Sequence, residues 1–350
     1  MNELALLEEL LKIPSTSGDE APAAAFLAER MAAAGIAAHV DGAGNAVGDT
    51  GGEGPLIVLL GHIDTVPGHI PVRVENGLLY GRGAVDAKGP FAAFVCAAAR
   101  VLGRARCRIV LVGAVEEEAA SSKGAHYVVG RYRPDFCVIG EPSGADRVTL
   151  GYKGRLLAHY RREQPSAHSA GEERAAPEFV ADFWGAVAAH CAELNAGRPR
   201  LFDQLIPSLR RIASGGDGLH DWAEATVGLR LPEGVLPQEL AAQLVALAPG
   251  GSVRFEGGCE AFRSPRTTPL AGAFVRAIRA AGGQPGFLHK TGTADMNVVG
   301  PAWRCPIVAY GPGDSRLDHT PHEHVPLEEY ARAIDVLERV LLDIGPAIGR

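Results

Sequence analysis

Two histidines and three carboxylates in this chain stand in short motifs with the chemistry to hold a pair of divalent metal ions. They are His62 in GHIDTVP, Asp86 in YGRGAVDAKG, Glu118 in VGAVEEE, Glu141 in CVIGEP and His319 in DHTPHE. Imidazole and carboxylate donors together suit borderline-hard cations, zinc most often. Placement gives the residue types their meaning. LIVLLGH runs into His62, RIVLVGAVEEE into Glu118 and DFCVIGE into Glu141. The carboxyl ends of buried strands are where open α/β sheets build their sites.

The neighbours of these residues extend the pattern. Asp64 follows His62 by two positions, where its carboxylate can take the ring N–H that a metal-ligating histidine leaves over. Asp86 sits in a loop with Gly81, Gly83 and Gly89, and its two oxygens can bridge two ions. Glu116, Glu117 and Glu118 are adjacent carboxylates with no packing reason to follow an apolar strand. Nearby positive charge relieves their repulsion, and a metal pair supplies it. One of the three can ligate while its neighbour serves as general base toward water. Pro142 keeps Glu141 extended at its strand end.

These residues need a scaffold of alternating strands and helices, and the sequence has one. Helix patterns cover 2–13 and 20–34, a strand pattern lies near 36–40, and 56–62 is almost continuously apolar. Such a run is expected where both faces of a sheet are covered. Residues 73–81 read as a small hairpin turning at Asn76-Gly77. A helix follows from Pro90 to Arg104, its proline in the first turn. From GYKGRLLAHYRRE the character changes to polar-alternating strands with helix patterns at 176–193 and 237–247. Strand–helix alternation resumes at 268–282, with a strand at 305–311 and a helix at 326–343. The expected fold is α/β: a mostly parallel-sheet catalytic domain with helices on both faces, interrupted by a smaller α+β domain. The catalytic domain takes residues 1–153 and 263–350, and the insert takes 154–262. All five metal-ligand residues fall outside the insert.

Bulk properties narrow the function. The 350 residues are 47% hydrophobic and 21% charged, ample for a sizeable core. A net charge of −7 argues against nucleic-acid binding. No apolar run approaches the ~20 residues of a membrane span, and the N-terminal MNELALLEELLKIPS lacks the layout of a signal peptide. The six cysteines show no CxxC pair or framework spacing. A cytoplasmic protein with buried thiols is expected. No G-x-S-x-G elbow supports a serine nucleophile.

Taken together, GHIDTVP, GRGAVDAKG, the EEE run, IGEPS and HTPHE resemble the five metal motifs of the M20 metallopeptidases, over the whole chain and its interrupted domain order. The resemblance implies one metal on His62 and Glu141, the other on Glu118 and His319, and Asp86 between them. The ions would be zinc, with cobalt as an alternative. It implies that Glu117 is the general base, although the family usually has Asp-Glu-Glu here, and a shift of one residue would make it Glu116. The insert matches the family's lid, which often dimerises. Within it, His168 in AHSA looks like the donor to a tetrahedral oxyanion, and Arg230 looks like a grip on a substrate carboxylate. SGGDGLHDW stands where some relatives have an Asn-rich motif, so contacts of that loop do not transfer.

HKTGTADMN is similar to the family's substrate loop, with Lys290, Thr293 and Asp295 as substrate-binding residues. Its wording is most similar to one branch, hydrolases that release lysine or ornithine from an acidic amino-group carrier protein in lysine and arginine biosynthesis. That branch would use a basic docking surface, for which Arg147, Lys153, Arg155, Arg161, Arg162, Arg210 and Arg211 are candidates. The alternatives are a deacylase of N-acetylornithine, N-acetyllysine or succinyl-diaminopimelate type, and a dipeptidase.

Overall fold

The computed structural model describes residues 2–248 and 250–345, so residues 1 and 346–350 of the expected catalytic domain lie outside it. The chain divides into two compact units. The first comprises residues 1–151, 264–289 and 294–350, and the second comprises 152–263 and 290–293. Relative to the expected boundaries, Tyr152, Lys153 and Arg263 join the insert, and so does the short segment Lys290–Thr293.

The first unit opens with α1 (Glu3–Leu11), α2 (Ala21–Ala33), β1 (Ala37–Val40), β2 (Ala46–Asp49) and β3 (Leu56–His62). It continues with β4 (Arg73–Glu75), β5 (Leu78–Tyr80), α3 (Lys88–Val101), β6 (Arg108–Ala114), α4 (Lys123–Val129), β7 (Phe136–Gly140) and β8 (Arg147–Tyr152). The second unit supplies β9 (Gly154–Pro165), α5 (Ala176–Leu194), β10 (Ile206–Gly216), β11 (His220–Leu231), α6 (Pro237–Ala246), β12 (Ser252–Cys259) and β13 (Phe262–Arg263). The chain then returns through α7 (Pro269–Ala280), β14 (Gly286–Lys290), α8 (Met296–Trp303), β15 (Ile307–Ala309), β16 (His324–Pro326) and α9 (Leu327–Ile344).

In the first unit the sheet runs β1-β2-β6-β3-β7-β15-β8. Its centre is parallel: β3 lies between β6 and β7, and β15 lies beside β7. β1, β2 and β8 attach antiparallel. Alternate residues of the central strands face different partners. Ile57, Leu59, Ile109, Leu111, Phe136 and Val138 belong to one core with α1, α2, α3, α7 and α9. Val58, Leu60, Val110, Val112, Cys137 and Ile139 are equally buried on the other face, where α4 and α8 pack together against β6 and β15. Both faces are thus covered, which is why these strands read as continuous apolar runs.

Parallel register aligns the strand ends. His62 lies opposite Ala114, and Gly61 opposite Gly140, so His62 and Glu141 emerge side by side. The hairpin β4–β5 turns through Asn76 and Gly77, both with positive φ (51° and 77°), as a two-residue type I′ turn requires.

The second unit is a four-stranded antiparallel sheet, β10-β11-β9-β12. Leu156, Ala158, Tyr160, Ala225, Val227 and Leu229 face α5 and α6 and form a separate core. β10 is an edge strand that exposes Ile212 and Leu209. Cys96, Cys107, Cys137 and Cys191 are buried free thiols.

Candidate metal centre

β3 ends on His62, and the residues that follow turn back on it. Its Nδ1 lies 3.0 Å from the Asp64 carbonyl oxygen and 3.4 Å from the Asp64 carboxylate. That leaves Nε2 facing the carboxyl ends of the strands, 3.1 Å from Asp86 Oδ1 and 3.8 Å from Glu141 Oε1. The other Asp86 oxygen, Oδ2, lies 3.0 Å from His319 Nε2, which is itself 2.8 Å from Glu118 Oε1. Asp86 therefore stands between two imidazoles, one on each oxygen, and each imidazole meets a further glutamate. The Asp86–Ala87 peptide is cis, and His319 has a φ of 62°.

Asp64 does more than face His62. Its fully buried carboxylate accepts from the Ser17 hydroxyl (2.7 Å) and from the backbone N–H groups of Glu117 and Glu118 (both 3.0 Å). It thereby fixes the irregular segment that carries those glutamates beyond the end of β6 at Ala114. Neither Ser17 nor this backbone role was visible in the sequence, because both depend on loops 47 and 53 residues away in the chain.

The three adjacent glutamates point to different surroundings. Glu116, at φ 58°, turns its carboxylate to Ser121 (2.7 Å) and Lys123 (3.2 Å). The Ser121 hydrogen bond lowers its pKa against a smaller opposing effect of burial, and Lys123 helps. Glu118 faces His319. Burial pushes the Glu117 carboxyl well above its ordinary range; His62 opposes that, and Glu141, Asp295 and Glu118 add to it.

Charges elsewhere in the cluster follow from the same contacts. Burial alone would depress the His62 imidazole, but hydrogen bonds with Asp64 and Asp86 override it and leave its pKa well above 6.5. His319, half exposed, is raised to about 10 by Asp86 and Glu118. Asp86 is lowered: burial opposes the shift, and the bonds with His319 and His62 outweigh it.

The donor set suits metal ions. His62, Asp86 and Glu118 each offer a ligand atom within 4.8 Å of the others. Carboxylates outnumber imidazoles here, and the mutual repulsion felt by Glu117 is what divalent cations relieve. Asp86, with one oxygen toward each histidine, has the arrangement of a bridging carboxylate.

The expected substrate residues divide between the units. Asp295 belongs to the first, buried at the start of α8, and its charge acts on Glu117. Arg230, Lys290 and Thr293 belong to the second. Arg230 donates to the Thr293 hydroxyl at 2.7 Å, and that hydroxyl donates to the Lys153 carbonyl at 3.0 Å. The Lys153 N–H in turn donates to the carbonyls of Lys290 (3.3 Å) and Gly292 (3.0 Å). His168 is exposed in the second unit, and its Nδ1 accepts from the Ala170 N–H at 3.1 Å.

Lys153 corrects one expectation. It is fully buried, with its ammonium on the carbonyls of Leu201, Phe202 and Gln204, so it is no part of a docking surface. Arg161 and Arg211 both pair with Glu224.

The profile of peptidase family M20/M25/M40 matches residues 58–343. A LysW-lysine hydrolase from Deinococcus radiodurans is 48% identical over 345 residues, covering 96% of this chain and 95% of that one. A LysW-lysine/LysW-ornithine hydrolase from Saccharolobus solfataricus is 26% identical over 280 residues, covering 79% of this chain and 78% of the other. Among solved structures, the M20 family metallo-carboxypeptidase Sso-CP2 from Sulfolobus solfataricus superposes with a TM-score of 0.82 at 19% identity, covering 99% of this chain and 100% of that one. A dinuclear metal-binding M20 peptidase from Bacillus subtilis gives 0.73 at 13% identity, with 98% of each chain covered. At these identities the structures show a common fold.

Proposed function

The chain belongs to peptidase family M20/M25/M40, and from that premise we propose a metal-dependent amidohydrolase that releases lysine, ornithine or both from an amino-group carrier protein. The relatives named as LysW-lysine and LysW-ornithine hydrolases support the substrate. The observation that carries the chemistry is the position of Asp86, one oxygen on His62 and the other on His319.

In this reading His62 and Glu141 would hold one divalent ion and Glu118 and His319 the second, with Asp86 available to both. Zinc is favoured by the two imidazoles, and cobalt satisfies the same donors. When bound, such ions would polarise the scissile carbonyl and lower the pKa of a water molecule toward about 7. Glu117 takes the proton of the attacking water and later gives it to the departing amine. Its buried, repelled carboxyl makes it a stronger base than an exposed glutamate. Asp64 holds the Glu117–Glu118 backbone in place. His168 is assigned as donor to the developing oxyanion, Arg230, Lys290 and Thr293 as contacts of the substrate's charged groups, and Asp295 as a further substrate-binding residue. Dimerisation through the second unit, where β10 leaves an edge open, belongs to the same proposal, as do an arginine-rich docking face for an acidic carrier and a cytoplasmic setting.

Replacing Glu117 by Gln tests the mechanism. The variant is expected to retain two zinc ions and to lose about 10²–10⁴-fold in hydrolysis rate. Hydrolysis at the wild-type rate would remove Glu117 as the base.

A further inference from the structure

Glu323 is a charged side chain with no solvent exposure, and none of the chemistry above uses it. Its Oε1 accepts from three backbone N–H groups of the Asp86 loop: Gly83 at 2.9 Å, Val85 at 3.0 Å and Asp86 itself at 3.1 Å. Its Oε2 accepts from Arg82 Nη1 at 2.7 Å. The same Arg82 nitrogen reaches the carbonyl of Thr320, next to His319, at 3.2 Å, and its Nε reaches the Gly68 carbonyl at 3.2 Å.

The sheet delivers this carboxylate to the loop. β16 pairs with β5 with His324 opposite Tyr80, and the Gly81 N–H donates to the Glu323 carbonyl at 3.4 Å. Residues 81–87 belong to no helix or strand, so their buried N–H groups depend on other partners. Gly83 adopts φ 88°, and a Cβ there would meet Lys88 and Thr65 at 3.0 Å. The loop is thus shaped around one carboxylate, and that carboxylate lies four residues from His319.

We propose that Glu323 and Arg82 form a positioning clamp that sets the Asp86 and His319 loops in register, so that both faces of Asp86 meet their metal-holding partners. The clamp acts through the backbone of Asp86 and the carbonyl beside His319. It touches neither substrate nor reacting atoms. Arg82 suits the task because its planar fork engages the carboxylate and two carbonyls at once, which a lysine ammonium cannot reproduce. A glutamine at 323 would keep the shape but present an N–H₂ to a site lined by donors.

This inference rests on the two-metal reading, and the experiment separates the two. Wild type, E323Q, R82M and R82K are stripped with a chelator. Zinc affinity is then measured by competition with a chromophoric chelator, the visible spectrum is recorded with cobalt, and thermal melting is followed without metal. E323Q and R82M are expected to bind zinc about 10–100-fold more weakly and to shift the cobalt bands, with R82K intermediate. A purely structural role would lower the melting temperature and leave affinity and spectrum unchanged. That result, with two zinc ions bound by the wild type, overturns the clamp alone. A wild type that binds no zinc removes the metal reading and the clamp with it. Arg82 is partly exposed at the clamp's edge (13%), so R82M carries the test if E323Q does not fold.

Discussion

Glu116, Glu117 and Glu118 are neighbours in the chain, yet their side chains meet different partners. The positive φ at Glu116 sends that carboxylate to Ser121 and Lys123, while Glu117 is buried and Glu118 meets His319. Residue types alone left the frame of this triplet open, because it depends on how Asp64 receives the backbone beyond β6. E116Q is therefore expected to keep kcat within the same order of magnitude as wild type, in contrast to E117Q; a steady-state assay of both decides it. The histidines give a pH prediction. Folded-state pKa values above the unfolded 6.5 mean the folded chain binds those protons more tightly. Without metal, that stability is complete below about pH 6.5 and drains as pH rises through about 10, the value for His319. The raised pKa of Glu117 has the same sign and begins to act near its ordinary 4.5. Zinc must displace the histidine protons, so its affinity runs the other way, rising with pH and releasing about one proton per ion near neutrality. Denaturant melts from pH 7 to 10 are expected to lose stability as pH rises without zinc and to stay nearly flat with it; parallel slopes would contradict the assignment.

The strands that end at His62 and Glu141 were legible as apolar runs, and their glycines explain how they pack. Gly61 and Gly113 precede the ends of β3 and β6, Gly140 closes β7, and a Cβ on any of them would press on Phe91 or Phe94 of α3. Helix and sheet approach closely at the end where the candidate ligands emerge. At Gly140 a Cβ would meet Phe94 at 3.0 Å and the Gly61 Cα at 3.1 Å. Overpacking there is expected to cost about 1–3 kcal/mol in G140A. Gly130 is the control, with φ −82° and no atom within 4 Å of where an added methyl would sit. G130A should be neutral or stabilising by about 0.4–1 kcal/mol. Equal losses in urea melts would contradict the packing argument. The Asp86 loop was less legible, since its shape depends on Glu323, some 240 residues away.

At the scale of the whole chain, the interrupted order was readable because a β-rich, polar-alternating stretch separates two strand–helix segments. What the order concealed is that residues 290–293 join the second unit, tied there by Lys153 and Arg230. Periodicity cannot report a four-residue segment held by backbone hydrogen bonds, nor the burial of Lys153 in an arginine-rich neighbourhood. Among the described residues no helix is long and apolar enough to cross a membrane. Metal-dependent hydrolysis of a protein-bound substrate is tested most directly by comparing two substrates. Zinc-loaded enzyme is given a carrier protein bearing lysine on its terminal glutamate and, separately, N-acetylornithine, with free amino acid measured over time. Rapid release of lysine from the carrier with little turnover of the acetylated amino acid is expected; a preference for N-acetylornithine would overturn the carrier protein as substrate.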